Sequence, residues 1–330
     1  MQSESILTQC MSYADRFLAI ELFNTCRVLA RGFRSNPQML PGVHLTLGHQ
    51  MWEWHPKPGT LRLLGHSIPR TQSSHSTLAQ QRDVVVISGG GFGSVVRRVT
   101  RSTSLLMKPT GHWESLPPMV KKREFHAAAF LKGKLYVSGG LNDEFGQDKT
   151  GEEAVHGSVE CFDPGTKSWC QLPRMTMRRY HHACTSHLGC LVVTGGISPD
   201  RLGGEGPLAT AERYDPSKQR WSQMPAMSTE RSRHSLVSID STLYACGGTS
   251  PGTTHAFEYL DATLSSWVLL PLWNRPDAIQ TCLASTGCQG QLYILSCKPS
   301  AAFQADQACL QRFDPSTCEW SEMPLKVRTS

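Results

Sequence analysis

The sequence predicts an all-β fold in which one four-stranded sheet is repeated along the chain. Three features that recur at fixed spacing support this prediction: a tryptophan followed at the fourth position by proline, a pair of glycines that ends an apolar run, and an aspartate six residues before the tryptophan. A period of about 50 residues is typical of repeats whose sheets pack side by side.

The tryptophan feature occurs five times. In each copy, leucine or methionine stands at the third position after the tryptophan and proline at the fourth. A large aromatic side chain at this fixed position is expected to fill the space between neighbouring sheets, which is a structural role. The five residues are Trp113, Trp169, Trp221, Trp267 and Trp320.

The glycine pair is present in four repeats and is expected to end an inner strand, where backbones crowd. The interval from tryptophan to the next pair is 26 residues in three successive repeats, whereas the interval from glycine to tryptophan varies, with insertions at 142–157 and 198–209. Insertions on one connection predict loops on one face, often the binding face. The pairs are Gly89 and Gly90, Gly139 and Gly140, Gly195 and Gly196, and Gly247 and Gly248.

The aspartate feature predicts a tight turn between two strands. Proline follows Asp163, Asp215 and Asp314, whereas alanine follows Asp261. Aspartate then proline favours a type I turn, because proline presets φ and the aspartate bonds the backbone ahead. Since one four-stranded sheet cannot bury both of its faces alone, the units are expected to pack around a common axis as a β-propeller.

These residues together resemble kelch repeats over about residues 74–330, and the resemblance implies a kelch-type β-propeller. The first unit has Lys108-Pro109 in place of Asp-Pro, and the fifth has Ser296-Cys297 in place of the glycines. Propellers of the BTB-kelch family usually have six blades, so three alternatives stay open: a five-bladed ring, a degenerate blade before Ser74, or a shortened form. The five recognisable units are about 74–125, 126–180, 181–233, 234–279 and 280–330.

Residues 1–35 are predicted to form a short helical segment, and residues 36–73 a linker. Apolar side chains recur at helical spacing in the first segment, at Ala14, Leu18, Leu22, Cys26, Leu29 and Phe33. Several of these positions, with Asp15 and Phe17, resemble the last helical hairpin of a BTB domain. His55-Pro56 through Pro69-Arg70 resembles a junction between a BACK domain and a kelch propeller. The resemblance implies a BTB-BACK-kelch protein with most of its BTB and BACK portions missing.

The candidate partner-binding residues are basic and lie between one unit and the next. Three ten-residue windows, 117–126, 173–182 and 225–234, contain eight lysines and arginines against two glutamates, a balance of +6 that equals the net charge of the whole chain. Guanidinium groups at a rigid concave mouth suit the capture of carboxylates. The candidates are Arg123, Arg179 and Arg231, sixteen residues before a glycine pair, with Lys122, Arg178 and Arg233.

Two interpretations of Arg123, Arg179 and Arg231 stay open. The kelch resemblance implies that arginines of this connection contact acidic peptide motifs in a partner. Alternatively, they satisfy loop carbonyls or pair with the glutamates. The histidines three residues further on, at positions 126, 182 and 234, are expected to begin an inner strand and hold neighbouring groups rather than a metal.

Composition and motifs exclude several classes of function. A hydrophobic content of 39% with 18% charged residues is that of a globular protein. We expect no cofactor, no metal and no enzymatic activity, because no phosphate-binding loop, paired carboxylate or nucleophile elbow is present. The modest charge without a recognition motif predicts no nucleic-acid binding. No apolar run of spanning length and no export signal are found, which predicts a cytoplasmic protein with reduced cysteines.

Most of the cysteines are expected to be small buried hydrophobes. Cys161, for example, lies in an apolar run, where free cysteine packs as a hydrophobic residue. Cys288 and Cys318 are expected to be exposed.

The family resemblance implies a protein-interaction function. The first expectation is a substrate receptor of a cullin ubiquitin ligase that binds its partner, through an acidic segment, at the propeller mouth. The alternative is an actin-binding or scaffolding kelch protein without a ligase role.

Overall fold

A computed structural model describes residues 43–47, 50–55, 59–67, 77–81, 84–92, 98–107, 112–142, 154–248, 257–261, 263, 265–270, 281–297 and 308–328. These residues form strands, turns and loops, with no helix among them. Within them, accordingly, no helix has the length and apolar character needed to cross a membrane. The helical segment predicted at 1–35 lies outside the described residues.

The strands of the described residues are, in chain order, β1 (Val43–Leu47), β2 (Gln50–His55), β3 (Thr60–Ser67), β4 (Thr77–Gln81), β5 (Val84–Ser88), β6 (Gly91–Phe92), β7 (Arg98–Val99), β8 (Thr103–Met107), β9 (His112–Leu116), β10 (Ala127–Leu131), β11 (Lys134–Ser138), β12 (Val159–Asp163), β13 (Ser168–Leu172), β14 (Ala183–His187), β15 (Cys190–Thr194), β16 (Ile197–Ser198), β17 (Gly206–Pro207), β18 (Ala211–Asp215), β19 (Arg220–Met224), β20 (Ser235–Ile239), β21 (Thr242–Cys246), β22 (Phe257–Leu260), β23 (Trp267–Leu269), β24 (Thr281–Cys288), β25 (Gln291–Cys297), β26 (Ala308–Asp314), β27 (Glu319–Met323) and β28 (Lys326–Arg328).

Six four-stranded sheets are formed by these described strands. Five are antiparallel meanders, and each lies within one of the five units recognised in the sequence. They are sheet 2 (β4-β5-β8-β9), sheet 3 (β10-β11-β12-β13), sheet 4 (β14-β15-β18-β19), sheet 5 (β20-β21-β22-β23) and sheet 6 (β24-β25-β26-β27). Two short strand pairs, β6-β7 and β16-β17, extend the connection between the second and third strands of sheets 2 and 4.

Sheet 1 corrects the prediction of a linker over 36–73. It contains β1, β2 and β3 together with β28 from the other end of the chain, which pairs in parallel with β3. Apolar and polar residues alternate in Val43–Leu47 and in residues 52–55, as is typical of strands. The segment carries no glycine pair and no Asp-Pro turn, so a search for those anchors does not find it.

The turn between the third and fourth strands explains the fixed aspartate. Oδ1 of Asp163, Asp215 and Asp314 accepts a hydrogen bond from the backbone N–H two residues ahead, at 2.8–2.9 Å. Asp261, which lacks the following proline, makes the same bond to Thr263 at 3.0 Å. The aspartate therefore shapes this hairpin even where proline is absent.

The core lies between the faces of neighbouring sheets, whose first strands contact one another in the order β1, β4, β10, β14, β20, β24. Between sheets 3 and 4, for example, Tyr136 and Val159 pack with Leu191 and Val193. The tryptophans lie at the same junctions. The indole Nε1 of Trp169, Trp221 and Trp267 donates to the carbonyl of the proline in the preceding Trp-x-x-Leu/Met-Pro motif, namely Pro117, Pro173 and Pro225, at 2.7–3.0 Å.

Candidate functional site

Three arginines, one from each basic window, are buried in ion pairs with glutamates of the sheet that follows the window in the chain. Arg179 has no exposed surface, and its Nη2 lies 2.9 Å from Oε1 of Glu212 on β18. Burial lowers the pKa of the Arg179 guanidinium, and the Glu212 charge opposes that shift. The other pairs are Arg123 with Glu160, at 2.8 Å, and Arg231 with Glu258.

Each of these arginines also joins two consecutive repeats. Nη1 of Arg179 donates to the carbonyl of Gly195 in the following repeat at 2.8 Å. Its backbone carbonyl accepts a hydrogen bond from the N–H of Gly140 in its own repeat at 2.9 Å. Arg123 and Arg231 make the equivalent contacts with Gly139 and Gly247 and with Gly90 and Gly196.

This geometry supports the second interpretation of Arg123, Arg179 and Arg231. Each has at most 1% of its surface exposed, and its guanidinium contacts loop carbonyls and a carboxylate inside the fold. As placed here, they cannot contact a partner. The paired carboxylates are not Glu124 and Glu230 of the windows. They are glutamates three residues before Asp163, Asp215 and Asp261, a fixed spacing that the sequence contains.

Histidines one residue before the first strands hold the glycine pairs in place. Nε2 of His182 lies 2.9 Å from Oγ of Ser138, the residue just before Gly139. A Cβ built on Gly139 would lie 2.6 Å from Cε1 of this ring, and the residue has φ +61°. Glycine is required here because a side chain would collide with the histidine ring and because the positive φ disfavours other residues. His126 and His234 make the same contact with Ser88 and Thr194.

The loops that surround the buried arginines form one surface, which we call the connection face (residues 117–126, 173–182, 197–208 and 225–234). Lys122 is exposed on it. Nε of Arg178 donates to Oδ1 of Asp200 at 2.9 Å, and the pair is about one third exposed. Leu202, at the tip of the 198–209 insertion, is 97% exposed.

A row of three side chains crosses the connection face at equivalent positions of successive repeats. Phe125, His181 and Arg233 have φ between +53° and +57°, although none is glycine. The N–H of His181 donates to the carbonyl of Phe125 at 2.9 Å, and the N–H of Arg233 to that of His181 at 2.8 Å. The left-handed conformation costs about 1–2 kcal/mol for each of these residues. The backbone hydrogen bonds between repeats keep the residues in this conformation.

The side chains of this row also contact one another. The Phe125 and His181 rings are 4.1 Å apart between centroids, and Nη2 of Arg233 lies 3.4 Å from Nε2 of His181. Of the six candidate residues, the structure thus brings Arg233 next to aromatic side chains that sequence reasoning had not selected. Their shared position, two residues after the buried arginine, is the signal that could have found them.

The repeated four-stranded sheets agree with the result of comparison with known protein families. The family model described as the KLHDC2/KLHL20/DRC7 Kelch-repeats domain matches residues 45–248, more than half of the chain. The chain belongs to this kelch-repeat family. The matched region begins within β1 and so includes strands of sheet 1.

Curated relatives of this kelch-repeat chain are similar at moderate identity. Beta-scruin of Limulus polyphemus is 26% identical over 218 residues, 63% of this chain and 22% of that protein. Kelch domain-containing protein 8B of Rattus norvegicus is 29% identical over 154 residues, 46% of this chain and 42% of that protein. Kelch-like protein 41 of Mus musculus is 25% identical over 234 residues, 57% of this chain and 37% of that protein. The chain therefore spans less than half the length of each of these relatives.

The kelch repeats thus present a cationic surface on rigid supports. The loops that carry Lys122, Arg178 and Arg233 have hydrogen-bonded backbones. Glu160 accepts a hydrogen bond from the N–H of Lys121, Asp200 accepts one from the N–H of Arg178, and the His181 carbonyl accepts one from the N–H of Arg233. Such an arrangement suits recognition of a protein surface, because the cost of ordering the loops is met in folding rather than in binding.

Proposed function

We propose that this kelch-repeat chain is a protein-interaction module that binds a partner through its connection face. The observation that carries the proposal is a rigid buried network with cationic side chains on the surface above it. Lys122, Arg178 and Arg233 supply the cations: Lys122 is exposed, and Arg178 and Arg233 are half-buried, whereas Phe125 and His181 are buried and support the face from within. The partner is an acidic segment of a protein, since carboxylates pair with guanidinium and ammonium groups.

The six sheets form one closed ring in this proposal. Two contacts support closure at sheet 1. Its first strand contacts β4 of sheet 2, and a Cβ built on Gly59, between β2 and β3, would lie 3.6 Å from Cδ2 of Leu310 in sheet 6. Six blades are also the number usual in BTB-kelch propellers, and the degenerate blade before Ser74 would then be sheet 1.

The biological role that we propose is substrate recognition for a cullin-RING ubiquitin ligase in the cytoplasm. The BTB-like residues of the segment 1–35 support it, as does similarity to a protein named kelch-like protein 41. Affinity purification of the tagged full chain from cell lysate tests it, with co-purification of a cullin as the expected result.

The competing function is actin binding or scaffolding, which the kelch resemblance also implies. It predicts co-sedimentation of the purified chain with F-actin and no cullin in the affinity-purified material. These two results together would reject the proposed ligase role and support actin binding, and the chain would still be a protein-interaction module.

A further inference from the structure

Two cysteines lie directly opposite each other in sheet 3. Cys161 on β12 and Cys170 on β13 are register partners of the antiparallel ladder. Directly opposite residues of an antiparallel pair project to the same face, with Cα atoms about 4.5–5.5 Å apart. A disulfide needs a Cα separation of about 4.4–6.8 Å, so the backbone is already suitable.

The same position in two other sheets shows that side chains there reach each other. In sheet 4, Arg213 donates through Nε to Oγ of Ser222 at 3.3 Å. In sheet 6, Arg312 makes the same bond to Ser321 at 3.0 Å. At the equivalent position of sheet 3, the two opposite residues are both cysteines instead of an arginine and a serine. In the strand pairings of the described ranges, no other two cysteines are opposite each other.

The two thiols differ in access to solvent. Cys170 is exposed, whereas Cys161 is 3% exposed and packs with Tyr136 and Tyr214. Burial raises the pKa of the Cys161 thiol to about 12, while a hydrogen bond from the Tyr136 hydroxyl and the charge of Lys134 favour its thiolate. Cys170 is therefore the thiol that an external reagent meets first.

The sequence predicted that Cys288 is exposed, but this residue is buried.

We propose that Cys161 and Cys170 form a dithiol site that reacts with a low-molecular-weight disulfide. The Cys170 thiolate attacks one sulfur of the disulfide, giving a mixed disulfide and one thiolate leaving group. The Cys161 sulfur, after losing its proton to solvent, attacks the Cys170 sulfur and releases the second thiolate. The protein loses two electrons and two protons, and the reagent becomes two thiols.

The test uses the reduced full chain and oxidised glutathione. Trypsin cleaves after Lys149, Lys167 and Arg174, so the two cysteines fall on separate peptides, 150–167 and 168–174. The expected product is this peptide pair joined covalently, with a mass two hydrogen atoms below the sum, and dithiothreitol separates it. The variant C161S should instead accumulate glutathione on Cys170, and C170S should give neither product.

The matched control is C318S, which removes an exposed cysteine from the equivalent hairpin of sheet 6 and should leave the joined peptides unchanged. Circular dichroism melts of all variants establish that they are folded. Glutathione on Cys170 of the unsubstituted chain, to the same extent as in C161S and without joined peptides, would overturn the proposal. So would linkage of Cys170 to any other cysteine.

Discussion

The buried arginines show how a single side chain can serve two neighbouring repeats. Arg179 contacts Glu212 and Gly195 in the following repeat and accepts a hydrogen bond from Gly140 in its own repeat. Removing one partner of a buried ion pair leaves an uncompensated charge, which costs far more than loss of an exposed pair. An arginine–glutamate pair on the surface would contribute little to the free energy of unfolding.

The variant Glu212→Gln tests this difference. It should lower the free energy of unfolding by about 3–5 kcal/mol, because the Arg179 charge stays buried without its counter-charge. The matched control Asp200→Asn, which neutralises the partly exposed partner of Arg178, should cost no more than about 1 kcal/mol. Urea unfolding measures both, and equal losses would contradict the structural role of the buried pair.

A second residue makes stability depend on pH. His156 is buried with Nε2 3.0 Å from the Lys122 carbonyl, and burial, followed by the Arg123 charge, lowers its pKa to about 3 from its usual 6.5. Between these two values the unfolded chain binds a proton that the folded chain does not. The contribution of His156 to the free energy of unfolding is therefore complete above about pH 6.5. It decreases by about 1.4 kcal/mol for each pH unit as the pH falls below that value.

Urea unfolding at pH 7 and pH 5 checks this expectation. The loss of stability on acidification should be smaller in His156→Gln, because glutamine can still donate to the Lys122 carbonyl and does not titrate. An identical loss in the variant and the parent chain would show that other groups cause the pH dependence.

At the scale of the sheet, the tryptophan–proline motif is a link between successive sheets rather than a feature within one. The indole of Trp221 in sheet 4 donates to the carbonyl of Pro173, the residue that follows the last strand of sheet 3. Its ring also packs against Tyr214, with centroids 5.4 Å apart. The hydrogen bond depends on the two sheets lying side by side, whereas the ring contact with Tyr214 lies within sheet 4.

Two substitutions of Trp221 separate these contacts. Trp221→Phe removes the hydrogen bond while keeping an aromatic ring, and should cost roughly 1 kcal/mol. Trp221→Ala also removes the packing and should cost roughly 3–5 kcal/mol. Thermal or urea unfolding gives both values, and a phenylalanine variant as unstable as the alanine variant would show that the ring's packing contributes little.

Sequence reasoning located the repeated sheets because tryptophan, glycine and aspartate each hold a position that the backbone geometry requires. It left sheet 1 open as one of three alternatives, a degenerate blade before Ser74, since β1, β2 and β3 carry none of the three repeated features. It also counted Arg179 as part of a charged mouth, because Glu212 lies 33 residues away in the chain. Which charges meet across a sheet is decided by pairing between distant strands, and the composition of a ten-residue window does not contain that information.

At the scale of the whole molecule, sheet 1 joins the two ends of the described chain. Its fourth strand, β28, contributes Lys326, Val327 and Arg328, which pair with Thr60, Leu61 and Arg62. Removal of residues 326–330 should therefore lower stability by roughly 1–3 kcal/mol, through loss of these ladder hydrogen bonds. Removal of 329–330 alone is the control, and thermal melting measures both. An unchanged melting temperature in the longer truncation would contradict a structural role for β28.

Partner binding at the connection face is the central claim, and affinity purification with matched charge variants tests it most directly. The triple variant Lys122→Ala, Arg178→Ala and Arg233→Ala removes cations from the connection face. The control triple Lys132→Ala, Lys167→Ala and Lys218→Ala removes the same charge from the hairpins at the opposite ends of the strands. With both proteins folded, the first variant should lose the bound partner and the control should retain it. Retention by the first variant and loss by the control would place binding elsewhere and contradict the account.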